Sequence, residues 1–193
     1  MKKDIILSGV GGQGILTIAT IIGQAALKEN LYLKQAEVHG MSQRGGDVQS
    51  NLRLSSNPIA SDLISMGDCD LIISLEPMEA LRYLPYLSKE GWIVSNEVPF
   101  KNIDNYPEEE KIWNEIKAVP NHILLNLDEI AKEIGSLRTS NIVLLGATTP
   151  FLNLEYNHIE ESIEDIFKAK GTDLVNLNLE ALRAGRNAAE HLM

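Results

Sequence analysis

The sequence predicts an α/β protein with a Rossmann-like, mostly parallel sheet, flanking helices and a helical C-terminal region. Short apolar runs rich in β-branched residues alternate with helical patterns, a glycine turn follows the first such run, and helical patterns continue from Asp128 onward. The 193 residues match the usual size of one domain, and no linker or low-complexity segment divides them. We therefore expect a single domain over residues 1–193.

Each element is predicted from its own local pattern, beginning with a strand at Ile5–Gly9 and a helix at Ile15–Leu27. This helix is apolar around most of its circumference, so we expect the sheet to cover one side and another element or another chain to cover the other. Leu71–Leu75 is typical of a buried parallel strand, and Pro77 suits the first turn of a helix continuing to about Leu87. The remaining expected elements are strands at Leu31–Val38, Val48–Leu54, Gly91–Ser95 and His122–Leu127, an amphipathic helix within Asn102–Val119, and helices at Asp128–Ile134, Asn141–Leu152, Ile159–Phe167 and Asp173–Leu192.

The charge balance and the apolar runs exclude several classes of partner. The formal net charge is -10, which repels phosphodiester backbones and anionic lipid head groups, so we expect neither nucleic acid nor a membrane surface as a partner. The first apolar run, Ile5–Leu7, is far shorter than the hydrophobic part of a signal peptide, and no run reaches the length of a membrane span. We expect a cytoplasmic protein.

The single cysteine, Cys69, limits the chemistry that this chain can carry by itself. One thiol cannot form an internal disulfide, and it cannot supply a four-thiolate iron–sulfur cluster or a structural zinc site. Any redox metal must therefore lie on another chain, and we assign no metal ligand here.

The glycine turn is the first candidate binding site. Gly9-x-Gly11-x-x-Gly14 lies between a predicted strand and a predicted helix, the context in which backbone N–H groups approach a pyrophosphate. Glu37 follows at the distance where dinucleotide-binding folds place a carboxylate on the ribose. The extra glycine at position 12 and the side-chain amide at position 13 argue against a turn that binds a nicotinamide dinucleotide. Two interpretations stay open, a phosphate-binding turn and a turn that only permits close packing.

A second glycine-rich loop, His39-Gly-Met-Ser-Gln-Arg-Gly-Gly46, follows the second predicted strand. Together with Gly-x-Gly-Gly-Gln-Gly at residues 9–14, it resembles the gamma domain of 2-oxoacid:ferredoxin oxidoreductases. In its details it is similar to the small (beta) subunits of indolepyruvate:ferredoxin oxidoreductases. Many pyruvate enzymes carry Tyr-Gly-Pro-Glu before the Arg-Gly-Gly, so His-Gly-Met-Ser at this place favours the arylpyruvate branch.

The resemblance implies a non-catalytic subunit that supports oxidative decarboxylation of an aryl 2-oxoacid to an acyl-CoA, with reduction of ferredoxin. It implies a large (alpha) partner subunit that carries thiamine diphosphate and the iron–sulfur clusters, and contact with ferredoxin through the complex. It further implies that this chain helps to surround coenzyme A. The candidate coenzyme-binding residues are Gly9, Gly11, Gly12, Gln13, Gly14 and Arg44. Arg44 has the bidentate geometry for a phosphate or a carboxylate, and it equally suits a loop contact or an acid of the partner.

Other features of the sequence carry weaker signals. Gly67-Asp68-Cys69 with Asn96 mimics a thiamine diphosphate fingerprint, but the second glycine is replaced and the motif precedes a strand instead of following one. Histidine is the side chain whose ordinary pKa lies nearest neutrality, but a lone loop histidine such as His39 is more often a hydrogen-bonding residue than a base, and we assign no catalytic residue. We also expect the polar side of the third strand, Gln49, Asn51 and Arg53, and the apolar first helix to be buried in the complex.

Two competing functions remain open at the level of sequence. A self-sufficient NAD-dependent dehydrogenase would use Gly9, Gly11, Gly14 and Glu37, but the chain shows no hydride-transfer constellation and no second domain. A nucleotide-binding docking module without an attached enzyme would bind ADP-type ligands alone.

Overall fold

The computed structural model describes residues 1–39, 46–101 and 103–193. They contain a six-stranded sheet in the order β2-β3-β1-β4-β5-β6. The strands are β1 (Lys2–Val10), β2 (Tyr32–His39), β3 (Asp47–Ser55), β4 (Cys69–Ser74), β5 (Leu87–Asn96) and β6 (His122–Leu125). β1, β4, β5 and β6 pair in parallel, whereas β3 runs antiparallel to both β1 and β2. The expected mostly parallel α/β sheet is confirmed, with one antiparallel strand inserted beside β1.

Helices cover both faces of the sheet. They are α1 (Ile15–Lys28), α2 (Pro77–Arg82), α3 (Glu109–Lys117), α4 (Leu127–Ile134), α5 (Ser140–Leu152), α6 (Tyr156–Phe167) and α7 (Thr172–Glu190). The larger core lies between the sheet and α1, α4, α5, α6 and α7, and a smaller core lies under α2 and α3. Helix α5 is buried along almost its whole length, which explains why its sequence is apolar on every side.

The predicted boundaries are close, except around Pro85. The helix beginning at Pro77 was expected to reach Leu87, but it ends at Arg82, and a short 3₁₀ turn at Leu84–Tyr86 follows. Proline cannot donate a backbone hydrogen bond and disfavours helical geometry in the residue before it, so the helix stops early. Strand β5 consequently begins at Leu87, earlier than the expected Gly91.

The surfaces that the sequence assigned to a complex are covered by the chain itself. Helix α1 packs on the sheet on one side and against α5 and α6 on the other. On β3, Asn51 accepts a hydrogen bond from the Ile64 amide, and Arg53 pairs with the buried Asp4. Arg53 also donates to backbone oxygens of Ser61 and Leu63. The expectation of burial in a complex is therefore wrong for most of α1 and for Asn51 and Arg53, because segment 58–64 and α6 fold back over them.

Candidate functional site

The glycine turn follows the carboxyl end of β1 and contains two glycines in the left-handed backbone conformation. Gly12 has φ +101° and Gly14 has φ +89°, conformations that side chains with a Cβ rarely adopt. Among the described residues, a Cβ at Gly12 would meet no atom within 4 Å, so none of them covers this part of the turn. At Gly14, by contrast, a Cβ would lie 2.7 Å from Asn141 Nδ2. Gly12 is thus the position at which a ligand can approach bare backbone, while Gly14 allows close contact with α5.

Gly9 and Gly11 serve the shape of the turn. A Cβ at Gly9 would lie 2.9 Å from Gln13 Oε1 and 3.1 Å from Ile15 Cγ1. The Gly11 amide donates to the Gly46 carbonyl oxygen at 2.9 Å, which ties the turn to the start of β3. These two glycines therefore bring segments of the chain together.

Gln13 holds the turn between two strands. Its Oε1 accepts a hydrogen bond from the Val10 amide at 2.7 Å, and its Nε2 donates to the Leu75 carbonyl oxygen at 3.3 Å. Leu75 directly follows β4, the parallel neighbour of β1. The side-chain amide consequently lies between the carboxyl ends of β1 and β4.

A cleft of about 390 Å³ opens at this edge of the sheet. Parallel sheets bind ligands in the crevice outside the carboxyl ends of their strands, and this cleft has that position. Its walls come from the glycine turn, the ends of β4 and β5, the segment after β5, and the beginnings of α4 and α5. The lining residues are Gly12, Gln13, Gly14, Leu75, Asn96, Val98, Pro99, Phe100, Asp128, Leu137, Arg138, Ser140 and Asn141.

The start of α4, the 3₁₀ turn at Leu137–Thr139 and the start of α5 together supply most of the polar side chains of the lining. Asn141 donates from Nδ2 to the Gly14 carbonyl oxygen at 3.3 Å, and Ser140 Oγ donates to Asp128 Oδ1 at 3.0 Å. The exposed Arg138 lies in the 3₁₀ turn just before α5 and lines the same cleft. The first N–H groups of α1 and α5 lack acceptors within their own helices, so both helices contribute positive potential near their amino ends.

The opposite wall is tied to a buried carboxylate, Glu76. Its carboxylate accepts hydrogen bonds from the Glu79 amide at the start of α2, from the Phe100 amide and from the Tyr106 hydroxyl. Burial raises the pKa of Glu76, and these three hydrogen bonds oppose that shift. Asn96 adds a second tie, because its Oδ1 accepts from the amides of Val98 and Leu127, both at 3.2 Å. The segment after β5 is thus fixed as a wall of the cleft.

Sequence reasoning found the glycine turn and missed the residues that face it. The rule that ligands bind at the carboxyl ends of parallel strands could have indicated Leu75 and Asn96, since each stands at or just beyond the end of a predicted strand. No comparable signal marked Arg138 or Asn141, which lie more than 120 residues from the turn in the chain. Arg44 lies outside the described residues, and its assignment stays a prediction.

Glu37 is far from the position that a ribose carboxylate needs. It pairs with Ser50 on β3, and Ser50 pairs with Leu7 on β1, so it lies level with the interior of β1 instead of its end. Because β3 intervenes, Glu37 is also two strand spacings from β1, about 10 Å. This geometry disfavours the NAD-dependent dehydrogenase.

The thiamine-like motif is divided between opposite edges of the sheet. Gly67 and Asp68 precede the amino end of β4, whereas Asn96 ends β5 at the carboxyl edge. They cannot hold one diphosphate together, so this motif does not fit a thiamine diphosphate site. Within residues 1–39, 46–101 and 103–193, no group of three or more His, Cys, Asp or Glu side chains is arranged to hold a metal ion.

Two of the histidines, His122 and His158, have local partners for their side chains. His122 Nδ1 lies 2.7 Å from the Val119 carbonyl oxygen, and His158 Nδ1 lies 3.2 Å from Glu29 Oε1. Neither lines the cleft. None of the helices in the described part of the chain combines the length and the apolar character that crossing a membrane requires.

Comparison with known proteins places this chain in one family. Residues 4–188 match the model of the pyruvate ferredoxin/flavodoxin oxidoreductase family, and the chain belongs to that family. An indolepyruvate oxidoreductase subunit IorB of Archaeoglobus fulgidus is 38% identical, over 98% of this chain and 96% of that protein. The protein of the same name in Pyrococcus horikoshii is 37% identical, over 100% of this chain and 99% of that protein.

Solved structures agree with the fold. The 2-oxoglutarate:ferredoxin oxidoreductase of Magnetococcus marinus, solved with 2-oxoglutarate, coenzyme A and succinyl-CoA bound, superimposes with a TM-score of 0.79 at 23% identity. The match covers 100% of this chain and 32% of that longer chain. A pyruvate oxidoreductase subunit of Thermotoga maritima gives a TM-score of 0.71 at 19% identity, over 96% of each chain. At these identities the likeness is evidence for the fold alone.

Proposed function

We propose that this chain is the small subunit of an indolepyruvate:ferredoxin oxidoreductase, which converts an aryl 2-oxoacid to an acyl-CoA and carbon dioxide while reducing ferredoxin. The observation that carries the proposal is the similarity, along nearly the whole chain, to indolepyruvate oxidoreductase subunits at 34% to 38% identity. The His-Gly-Met-Ser sequence in the second glycine loop agrees with this branch of the family. A cytoplasmic location, expected from the sequence, is part of the same proposal.

The division of labour between subunits follows from the side chains of this chain. The reaction needs a group that stabilises the carbanion left by decarboxylation and a conductor for the two electrons, which thiamine diphosphate and iron–sulfur clusters supply when bound. Here the one thiol, Cys69, is buried, and burial raises its pKa to about 12. The residues resembling a thiamine fingerprint lie at opposite sheet edges. Both cofactors therefore belong on the large (alpha) subunit in this proposal.

The contribution of this chain is one side of the coenzyme A site. Gly12, Gln13 and Gly14 of the turn and Arg138 line the cleft, and bare backbone next to a helix start and a guanidinium each favour an anion. A chain with net charge -10 repels an anionic ligand over most of its surface, so a local cation matters more here than on a neutral protein. We assign the diphosphate of coenzyme A to the glycine turn and Arg138.

The cleft also indicates where the large subunit docks. The thiol of coenzyme A must reach the acyl group, and that group is held by the partner in this proposal. The partner must therefore cover the mouth of the cleft. Two large apolar side chains on that lining, Phe100 and Leu137, are 46% and 51% exposed. Burial of such side chains is a typical source of binding energy at subunit interfaces.

The proposal is tested by reconstitution and by coenzyme A binding. The chain alone should show no 2-oxoacid oxidation, and activity should appear when the cluster-bearing large subunit is added. For the ligand, we expect Arg138→Gln to weaken coenzyme A binding at least ~10-fold, because a lost charge-assisted hydrogen bond costs about 1.5–3 kcal/mol.

Arg183→Gln is the matched control, since Arg183 is an exposed arginine paired with Glu160 and does not line the cleft. Calorimetry with coenzyme A and with phosphate-free pantetheine distinguishes the contribution of the phosphates. Equal affinity of the two variants for coenzyme A would show that Arg138 does not bind it. 2-Oxoacid oxidation by the chain alone would refute the division of labour between the subunits.

Gly12 is a less suitable test position than Arg138. A side chain at this position, as in Gly12→Val, would block the approach of a ligand to the bare backbone. At φ +101° a β-branched residue is strained, at a cost of order 1–3 kcal/mol. In Gly12→Val this strain would add to any effect on ligand binding, so Arg138→Gln gives a cleaner result.

A further inference from the structure

The hydrogen-bond ladder between β1 and β4 has an unusual last rung. These parallel strands pair from Ile5 with Leu71 to Ser8 with Ser74, and the Leu75 amide then donates to the Ser8 carbonyl oxygen at 3.1 Å. In a regular parallel ladder the next bond would run from the Val10 amide to the Leu75 carbonyl oxygen. That bond is replaced by the side chain of Gln13, which accepts from the Val10 amide and donates to the Leu75 oxygen.

The Gln13 amide therefore acts as an inserted peptide group. The two backbone groups are separated by the width of an amide instead of by one hydrogen bond, so the strands part at the point where the cleft begins. Gly9 makes room for this insertion, because a Cβ there would lie 2.9 Å from Gln13 Oε1. Gly9 and Gln13 therefore act together, because the missing side chain at Gly9 makes room for the Gln13 amide between the two strands.

We propose that Gln13 is a positioning residue that opens the end of the β1–β4 pair and fixes the neighbouring Gly12 backbone for an anion. This inference rests on the proposed function for the identity of that anion, the diphosphate of coenzyme A. Gln13 acts through the backbone, since its Oε1 and one Nε2 hydrogen are directed at Val10 and Leu75. Loss of the amide lets the two strands close or the turn move.

The test uses the full chain and two readouts. Gln13→Met keeps the length of the side chain and removes both hydrogen bonds. We expect hydrogen exchange of the Val10 amide, measured by NMR without ligand, to become at least ~10-fold faster, since its acceptor is gone. We expect the Kd for coenzyme A to rise at least ~5-fold. Gln24→Met, the same change on the half-buried part of α1, should alter neither quantity.

Gly9→Ala provides a second variant that leaves Gln13 in place. The new Cβ displaces the Gln13 oxygen, so Val10 exchange should accelerate and coenzyme A affinity should fall as in Gln13→Met. Because no ligand contact is deleted, this pattern separates positioning from direct binding by Gln13.

Each readout has an outcome that overturns a different statement. Unchanged hydrogen exchange of the Val10 amide in both variants would refute the insertion of the Gln13 amide between Val10 and Leu75. Faster exchange with unchanged coenzyme A affinity would overturn the positioning role. If the wild-type chain binds no coenzyme A, the ligand assignment of the proposed function fails. The exchange measurement without ligand still decides whether the Gln13 amide is inserted between Val10 and Leu75.

Discussion

Helices α5 and α7 cross at two glycines, and this contact makes a quantitative prediction. A Cβ on Gly185 would lie 1.9 Å from the Val143 carbonyl oxygen, and one on Gly146 would lie 2.0 Å from the Leu182 carbonyl oxygen. Ordinary carbon–oxygen contacts begin at about 3.3 Å, so Gly185→Ala must separate the two backbones by roughly 1.4 Å. No side-chain rotation can relieve a clash with backbone.

The magnitude follows from two opposing effects. Replacing glycine by alanine inside a helix stabilises it by about 1 kcal/mol, whereas overpacking typically costs 1–3 kcal/mol and more where the backbone must move. For Gly185→Ala the upper end of the overpacking cost, less the helix-propensity gain, leaves a net loss of about 2 kcal/mol or more in the free energy of unfolding. For a domain of this size each kcal/mol lowers the Tm by about 2–4 °C, so the Tm should fall by about 4–8 °C or more.

Gly23→Ala in α1 is the matched control. Its Cβ would lie 3.3 Å from the flexible tip of Leu33, so the helix-propensity gain should prevail and stability should stay equal or rise by up to ~1 kcal/mol. Urea unfolding followed by circular dichroism measures both variants. A Gly185→Ala protein within ~1 kcal/mol of wild type would refute the close crossing. The crossing matters for the site because α5 carries Asn141, which contacts the glycine turn.

Two further predictions concern buried groups on the sheet. Cys69 is fully buried and burial raises its pKa to about 12, so a thiol reagent should label it only in denaturant; stoichiometric labelling of the folded chain would contradict this. Burial alone would raise the pKa of Asp4, but hydrogen bonds from Arg53 and Lys2 outweigh it and lower that pKa, so this stabilisation is present above the ordinary carboxyl pKa and lost as pH falls through the folded value. Arg53→Met should therefore cost about 3 kcal/mol at pH 7, with a deficit that shrinks in acid, and a pH-independent deficit in urea titrations would show that the ion pair is not its source.

The sequence by itself determined the order of strands and helices and the nature of the first loop. Alternating apolar runs and helical patterns are local, so they predicted the ends of β1, α1, β4 and the C-terminal helices to within three residues. The glycine spacing likewise predicted the turn, because positive φ at Gly12 and Gly14 is a local requirement. The early end of α2 could have been predicted, since Pro85 is visible in the sequence.

Tertiary structure alone decided what the turn faces and what each helix covers. Strand β3 inserts antiparallel between β1 and β2, and this pairing, which no local pattern specifies, places Glu37 two strand spacings away from β1. Docking of α5 through its glycine crossing brings Arg138 and Asn141 to a turn more than 120 residues earlier in the chain. Strand order and helix docking depend on contacts between distant segments, and therefore the cleft exists only once the whole sheet has formed.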